Sequence, residues 1–212
     1  MDPILNPIVA HTLVPVVVID DAARAPGLAS ALVAGGLPIA EVTFRTPAAR
    51  EAIAAMATNP EILVGAGTVL TPEQVTQAVE AGAQYVVSPG LSAAVVRRCR
   101  ELGVPVLPGA VTATEIQAAL DLGVDTVKFF PAETSGGAAA IKALAAPFGG
   151  VSFVPTGGIG PKNLADHLAV PSIVGVGGSW MCPRDAVAAG DFDTIEELTR
   201  EAVELVASIK KG

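Results

Sequence analysis

Cysteine is scarce in this chain: of 212 residues, only Cys99 and Cys182 carry a thiol. Two isolated cysteines cannot build a disulfide framework or a zinc site with metal-ligand spacing. Histidine is as rare, with only His11 and His167, and no His/Asp/Glu/Cys grouping suggests a metal. Basic charge is short as well: 13 Lys and Arg against 21 Asp and Glu leave a formal net charge of −8. A nucleic-acid or anionic-membrane partner needs a basic face, so neither is expected. A small anionic ligand needs only one local positive spot and stays open. Charged residues amount to 16% and hydrophobic ones to 51%, so the polar surplus that disorder requires is missing. The longest apolar run near the start, Leu13 to Ile19, is too short to cross a bilayer. Met1 to His11 hold Asp2 and two prolines and lack a basic n-region, unlike a signal peptide. The expectation is a soluble, reduced, cytoplasmic protein, with residues 1–212 forming one domain.

What the chain has in quantity is a repeated short apolar run. Such runs begin at Leu13, Ile39, Ile62, Tyr85, Val104, Thr126, Val151 and Ile173, at intervals of 19 to 26 residues. Each has strand length and is rich in Val, Ile and Phe, as a parallel strand buried on both faces requires. Helix signals fill the gaps. Thr71-Pro72-Glu73-Gln74 sets a cap, a proline at the first helical position and a capping-box Gln in register. Thr112 to Glu115 and Thr194 to Glu197 repeat the box. Gly82, Gly103 and Gly123 sit where a left-handed residue would end a helix before the next strand. The segment from Thr71 resembles that from Thr112 at an offset of 41 residues, about two βα units. Residues 194–210 have the apolar period of a C-terminal helix, and residues 1–12 make a short N-terminal helical segment. Two layouts accommodate eight such units. A doubly wound open sheet would usually open on a Gly-rich loop, but Gly65-Ala66-Gly67 runs to Leu70 and misses the GxGxxG fingerprint. The expected fold class is therefore α/β, a (β/α)8 TIM barrel with strands in residues 13–180.

In such a barrel, chemistry sits at the C-terminal ends of strands. Lys128 stands out there, flanked by Val127 and Phe129 in a chain with five lysines. A lysine without access to water is costly unless paired or neutral, and a neutral amine attacks carbonyl carbon. Read structurally, it could instead snorkel at a strand end or form a buried ion pair. On the second strand Glu41, Thr43 and Arg45 share one parity while Val42 and Phe44 share the other, so polar groups line one face. They are either a structural Glu–Arg pair or a proton shuttle beside a carboxylate-binding fork. Thr68 could add a hydroxyl, though such a residue is often a cap or turn. Thr156-Gly157-Gly158 and Gly177-Gly178-Ser179 end the last two strands. Paired glycines there allow backbone N–H groups to approach an anion, or simply make tight turns. Ser88 lacks a histidine partner. His11 and His167 are expected on the surface or in packing, Phe129 and Phe130 in the core, and Trp180 in packing or at an interface.

Taken together and in order, Glu41-Val-Thr-Phe-Arg-Thr46, Val64-Gly-Ala-Gly-Thr-Val-Leu70, Val87-Ser-Pro-Gly90, Val127-Lys-Phe-Phe-Pro-Ala132, Pro155-Thr-Gly-Gly-Ile159 and Gly177-Gly-Ser-Trp180 resemble the motifs of the 2-keto-3-deoxy-6-phosphogluconate (KDPG) and 4-hydroxy-2-oxoglutarate (KHG) aldolases. The resemblance spans Leu13 to the C-terminal helix. It departs from the family pattern at Phe44, Val154 and Met181-Cys182, none of which carries a family chemical role. The resemblance implies a class I aldolase that uses a lysine imine and no metal. It implies Lys128 as the Schiff-base lysine and Glu41 as general acid/base. Arg45 would hold the pyruvate-end carboxylate, with Thr68 and Pro89 lining that pocket. Thr156 would contact the aldehyde end, and Gly157, Gly158, Gly178 and Ser179 would bind phosphate. It also implies a homotrimer. The expected reaction is cleavage of KDPG to pyruvate and D-glyceraldehyde 3-phosphate. The alternatives are the KHG or the galactonate-epimer reaction, a phosphate-sugar isomerase or decarboxylase, or a barrel that only binds phospholigands.

Overall fold

The computed structural model describes residues 6–211. All eight expected strands form: Leu13–Val17 (β1), Ile39–Thr43 (β2), Leu63–Gly67 (β3), Tyr85–Val87 (β4), Val106–Leu107 (β5), Thr126–Phe129 (β6), Ser152–Pro155 (β7) and Val176–Gly178 (β8). The helices are Asn6–His11 (α1), Ala25–Ala34 (α2), Ala49–Met56 (α3), Pro72–Glu80 (α4), Ala93–Glu101 (α5), Ala113–Asp121 (α6), Gly137–Ala145 (α7), Leu164–Leu168 (α8), Arg184–Ala189 (α9) and Phe192–Ile209 (α10). Of the expected N-terminal segment, residues 1–5 lie outside the described residues, and the remainder holds α1.

The strands form a curled parallel sheet in the order β5-β4-β3-β2-β1-β8, and β6 pairs with β7 in a second parallel ladder. Single parallel bridges join the two. Gly109 pairs with Lys128 on one side, and Phe153 with Ile173 and Thr156 with Gly177 on the other. Proline explains why the ladder thins at these seams. Pro108 and Pro155 have no N–H to give, so each seam loses a rung. Between the two β7–β8 bridges there are three steps on one chain and four on the other. That extra residue is a bulge, and it moves the regular eighth strand from the expected Ile173–Val176 to Val176–Gly178.

Inward-facing registers place Glu41 beside Gly65 and Gly65 beside Tyr85. A Cβ on Gly65 would run into the Tyr85 ring, so glycine there lets the phenol lie across the interior. Tyr85 is fully buried and its hydroxyl donates to the Ala40 carbonyl at 2.8 Å. On the outer face, Phe129 and Phe153 pack edge to face with centroids 6.5 Å apart.

The helix ends follow the expected chemistry in most places. Thr112 accepts from the Glu115 N–H while the Glu115 carboxylate accepts from the Thr112 N–H, a complete capping box. Thr71 caps α4, but the Gln74 side chain reaches to the Leu70 N–H and not to its cap. Gly82, Gly103 and Gly123 take φ of 99°, 67° and 64°. The C-terminal helix corrects the expected 194–210. Gly190, at φ 74°, ends α9, and Asp191 then accepts from the Thr194 N–H and hydroxyl. A carboxylate one turn earlier is at least as good a cap as Thr194, so the helix begins at Phe192 and Thr194 becomes its third residue. Among the described residues, no helix is long and apolar enough to cross a membrane.

Candidate active site

Six strands and the turns after them build the site. On β6, period two turns Thr126 and Lys128 inward while Val127 and Phe129 face the helices. Lys128 is 3% exposed, and its Nζ donates to Glu41 Oε1 of β2 at 3.1 Å. A charge buried to this degree needs a partner, and each member of the pair is the other's partner. Gly67 of β3 makes room for it, because a Cβ at that position would stand 2.6 Å from Glu41 Cγ and 2.8 Å from its carboxyl carbon.

The other polar residues of β2 separate in function. Thr43 donates to the Val17 carbonyl at 2.8 Å and so ties β2 to β1. Arg45, just past the strand, donates from Nε to Thr68 Oγ1 at 3.3 Å. Thr68 sits at φ 56°, a left-handed conformation costly for a β-branched residue. It turns the chain sharply at the end of β3. Pro89 follows β4, and its carbonyl lies so close to Gly109 that a Cβ there would overlap it. Gly109 is the bridge partner of Lys128, so Pro89 stands one strand away from the Lys128 backbone.

Next to this pair is a cavity of about 480 Å³. Arg45, Thr156, Gly157, Gly158, Gly178 and Ser179 line it. Gly157 and Gly158 take φ of 103° and 78°, open only to glycine at little cost, and Gly158 leaves space for Glu133. Gly178 similarly admits the Trp180 ring. Thr68, Pro89, Glu41 and Lys128 do not line the cavity. Phe130 joins the two regions: it lines the cavity, and its ring centroid stands 5.2 Å from Lys128 Nζ. That corrects its expected place in the core. Phe130 shares the inward parity of Lys128, a signal that the sequence did contain.

Two further residues at the cavity had no site role in the sequence reading. Arg184 lines it and clamps Asp20, with Nε on Oδ2 at 2.8 Å and Nη2 on Oδ1 at 2.7 Å. This hydrogen-bonded guanidinium holds the Asp20 carboxyl below its ordinary range, and the Asp20 carboxylate raises Arg184 in turn. Cys182 also lines the cavity, with burial pushing its thiol up to about 12, so it is no nucleophile near neutral pH. His167 is buried, not superficial, with Nε2 2.8 Å from Glu133 Oε1. Ser88 is tied to the Gly90 carbonyl at 2.8 Å. Among the described residues, no group of three His, Cys, Asp or Glu stands where it could hold a metal ion.

Similarity to known proteins coincides with this geometry. Residues 4–198 match the family described as KDPG and KHG aldolase. The KHG/KDPG aldolase of Escherichia coli K12 is 49% identical over 193 residues, covering 91% of each chain. The crystal structure of the KDPG aldolase of Zymomonas mobilis ZM4 with 3-phosphoglycerate superposes with a TM-score of 0.89 at 45% identity, over 96% of each chain. That of Legionella pneumophila KDPG aldolase, with pyruvate captured as a covalent carbinolamine, gives 0.89 at 39% identity, over 92% of this chain and 95% of that one. A lysine and a carboxylate buried face to face, an arginine beyond them and a glycine-lined cavity thus occur in a chain that belongs to the KDPG and KHG aldolase family.

Proposed function

We propose that this protein is a class I aldolase that cleaves KDPG to pyruvate and D-glyceraldehyde 3-phosphate. The observation that carries the reading is the buried Lys128–Glu41 pair beside an anion-accepting cavity. The relatives named KDPG aldolase, and the carbinolamine captured in the Legionella protein, support it.

Each step assigns a task to a residue. Glu41 takes a proton from the Lys128 ammonium 3.1 Å away, which frees the amine's electron pair. The amine attacks the substrate's C2 ketone, forming a carbinolamine, and Glu41 returns the proton so that water leaves and a protonated imine remains. Glu41, again a carboxylate, then takes the C4 hydroxyl proton, and the C3–C4 bond breaks. Its electron pair moves into the iminium as an enamine, and the aldehyde departs. Glu41 gives that proton to C3, and water hydrolyses the resulting iminium to pyruvate and the Lys128 ammonium. Arg45, steadied by Thr68, holds the C1 carboxylate, with Pro89 beside it. Thr156 contacts the aldehyde end, and Gly157, Gly158, Gly178 and Ser179 bind the phosphate through backbone N–H groups and a hydroxyl. Covalent imine formation supplies the electron sink, so this reading assigns no metal or other cofactor a role.

The same reading takes the chain as one domain in which β6 and β7 close the curled sheet into a complete (β/α)8 barrel, supported by the bridges at both seams. It also includes a homotrimer in the cytoplasm, supported by the apolar composition and by two free, buried thiols. Neither nucleic acid nor membrane is a partner in it.

Incubation with pyruvate and borohydride tests the central step. Wild type should gain a covalent mass adduct that is absent in Lys128→Met. A wild-type protein that gains none refutes the imine mechanism.

A further inference from the structure

The cavity has a charge balance opposite to that of the whole chain. Its lining includes two guanidinium groups, Arg45 and Arg184, and no carboxylate, in a protein of formal charge −8. Arg45 is engaged with Thr68 at the end of β3. Arg184 stands past the end of β8, beyond Gly178 and Ser179. Its guanidinium is oriented, because Asp20 grips it side-on through Nε and Nη2. That grip joins the start of α9, which follows β8, to the loop after β1, the neighbouring strand. Nη1 makes no hydrogen bond to the described residues, and it remains a donor. An exposed ion pair of this kind adds little to stability, so its consequence lies in where it holds the cation.

Glycine N–H groups and a serine hydroxyl recognise oxygen atoms through neutral dipoles, and they serve a hydroxyl or carboxylate end group as well as a phosphate. A guanidinium, even with Asp20 offsetting part of its charge, gains far more from a phosphate dianion than from a neutral hydroxyl end and offers a planar donor edge to phosphate oxygens. We propose that Arg184 is a specificity-determining residue of this site, the cation that selects substrates phosphorylated at the aldehyde end. This rests on the aldolase reading and extends it to a residue outside the motifs of the family resemblance.

The test compares kcat/KM for KDPG with that for the same keto acid lacking its phosphate, in wild type, Arg184→Ala, Arg184→Lys and Arg200→Ala. Arg200 lies on α10, paired with Glu196, and controls for loss of a surface charge. In Arg184→Ala the ratio should fall about tenfold, through a higher KM for KDPG, as expected of a charge-assisted contact. Arg184→Lys should recover part of the loss, and Arg200→Ala should keep the wild-type ratio. Calorimetry with inorganic phosphate gives a readout free of turnover, and its Kd should rise about tenfold in Arg184→Ala. A ratio and a phosphate Kd both within twofold of wild type would overturn the proposal. Borohydride trapping of pyruvate on Lys128 reports the underlying aldolase reading separately. If trapping fails, phosphate binding still decides whether Arg184 is an anion ligand.

Discussion

Lys128 and Glu41 are 87 positions apart in the chain, yet their side chains meet at 3.1 Å with each only 3% exposed. Each group would be an unpaired buried charge without the other. Glu41→Ala is therefore expected to destabilise the fold by about 3–5 kcal/mol, the cost of stranding a buried partner. The double variant Glu41→Ala/Lys128→Met should lose less than Glu41→Ala alone, since it removes the stranded ammonium. Urea denaturation of the four proteins of the cycle reads this coupling directly. Additive losses would show that the pair is not a unit.

Gly67 has no chemistry of its own, but the position of Glu41 depends on it. A methyl group there would press on the Glu41 side chain within 2.6 Å of Cγ. The carboxylate must swing away from the amine to relieve this. Misplacement by about 1 Å is enough to cost roughly 10²-fold in rate. Gly67→Ala is expected to retain its circular dichroism spectrum while kcat falls by about that factor, with slowed borohydride trapping. Wild-type kcat in this variant would mean that Glu41 is not needed at its present position.

How far the sequence disclosed this site depended on whether the signal was local. Lys128 was visible because a charged residue broke a run that every neighbour kept apolar. Glu41 and Arg45 were visible because parity alone gave one strand a polar face. The strand count followed from the regular return of apolar runs, and the eighth was misplaced by a bulge that single-strand periodicity cannot register. Phe130 was misassigned to the core although its parity matched that of Lys128. Asp20 and Arg184 gave no signal, since each is an ordinary surface residue until closure of β1 on β8 brings them together from 164 positions apart. The start of α10 went wrong by one turn, because the Gly190 turn lets Asp191 cap the helix ahead of Thr194.

His167 and Glu133 brace the Gly157-Gly158 turn from behind. Glu133 packs against Gly158, and its carboxylate is the only partner of the buried imidazole among the described residues, with Nδ1 unpaired. Glu133→Ala would leave both ring nitrogens without a partner, at a cost of about 1–3 kcal/mol. His167→Phe removes the buried polar ring altogether, and it should destabilise less. Thermal unfolding of the two variants checks this order, and the reverse order would show that the imidazole is itself the stabilising group.

Tyr85 is the only tyrosine of the chain, which makes its ionisation individually observable. Its phenol is pushed well above the ordinary 10.0, first by burial and then by the Glu41 charge. Burial pushes Cys99 and Cys182 from 9.0 up to about 12. All three groups hold their protons in the folded state at pH values where the unfolded chain releases them. Above those values the unfolded state binds fewer protons than the native one, so stability falls as pH rises. The contribution is complete below pH 9. It begins to fail as the unfolded thiols ionise near 9.0, and it fails more steeply once the unfolded phenol joins near 10.0. In an alkaline titration, tyrosinate absorbance should therefore appear only together with the loss of helical circular dichroism. Tyr85→Phe should lose stability less steeply than wild type above pH 10. A tyrosinate band rising near pH 10.0 in the fully folded protein would contradict the burial of Tyr85 beside Glu41.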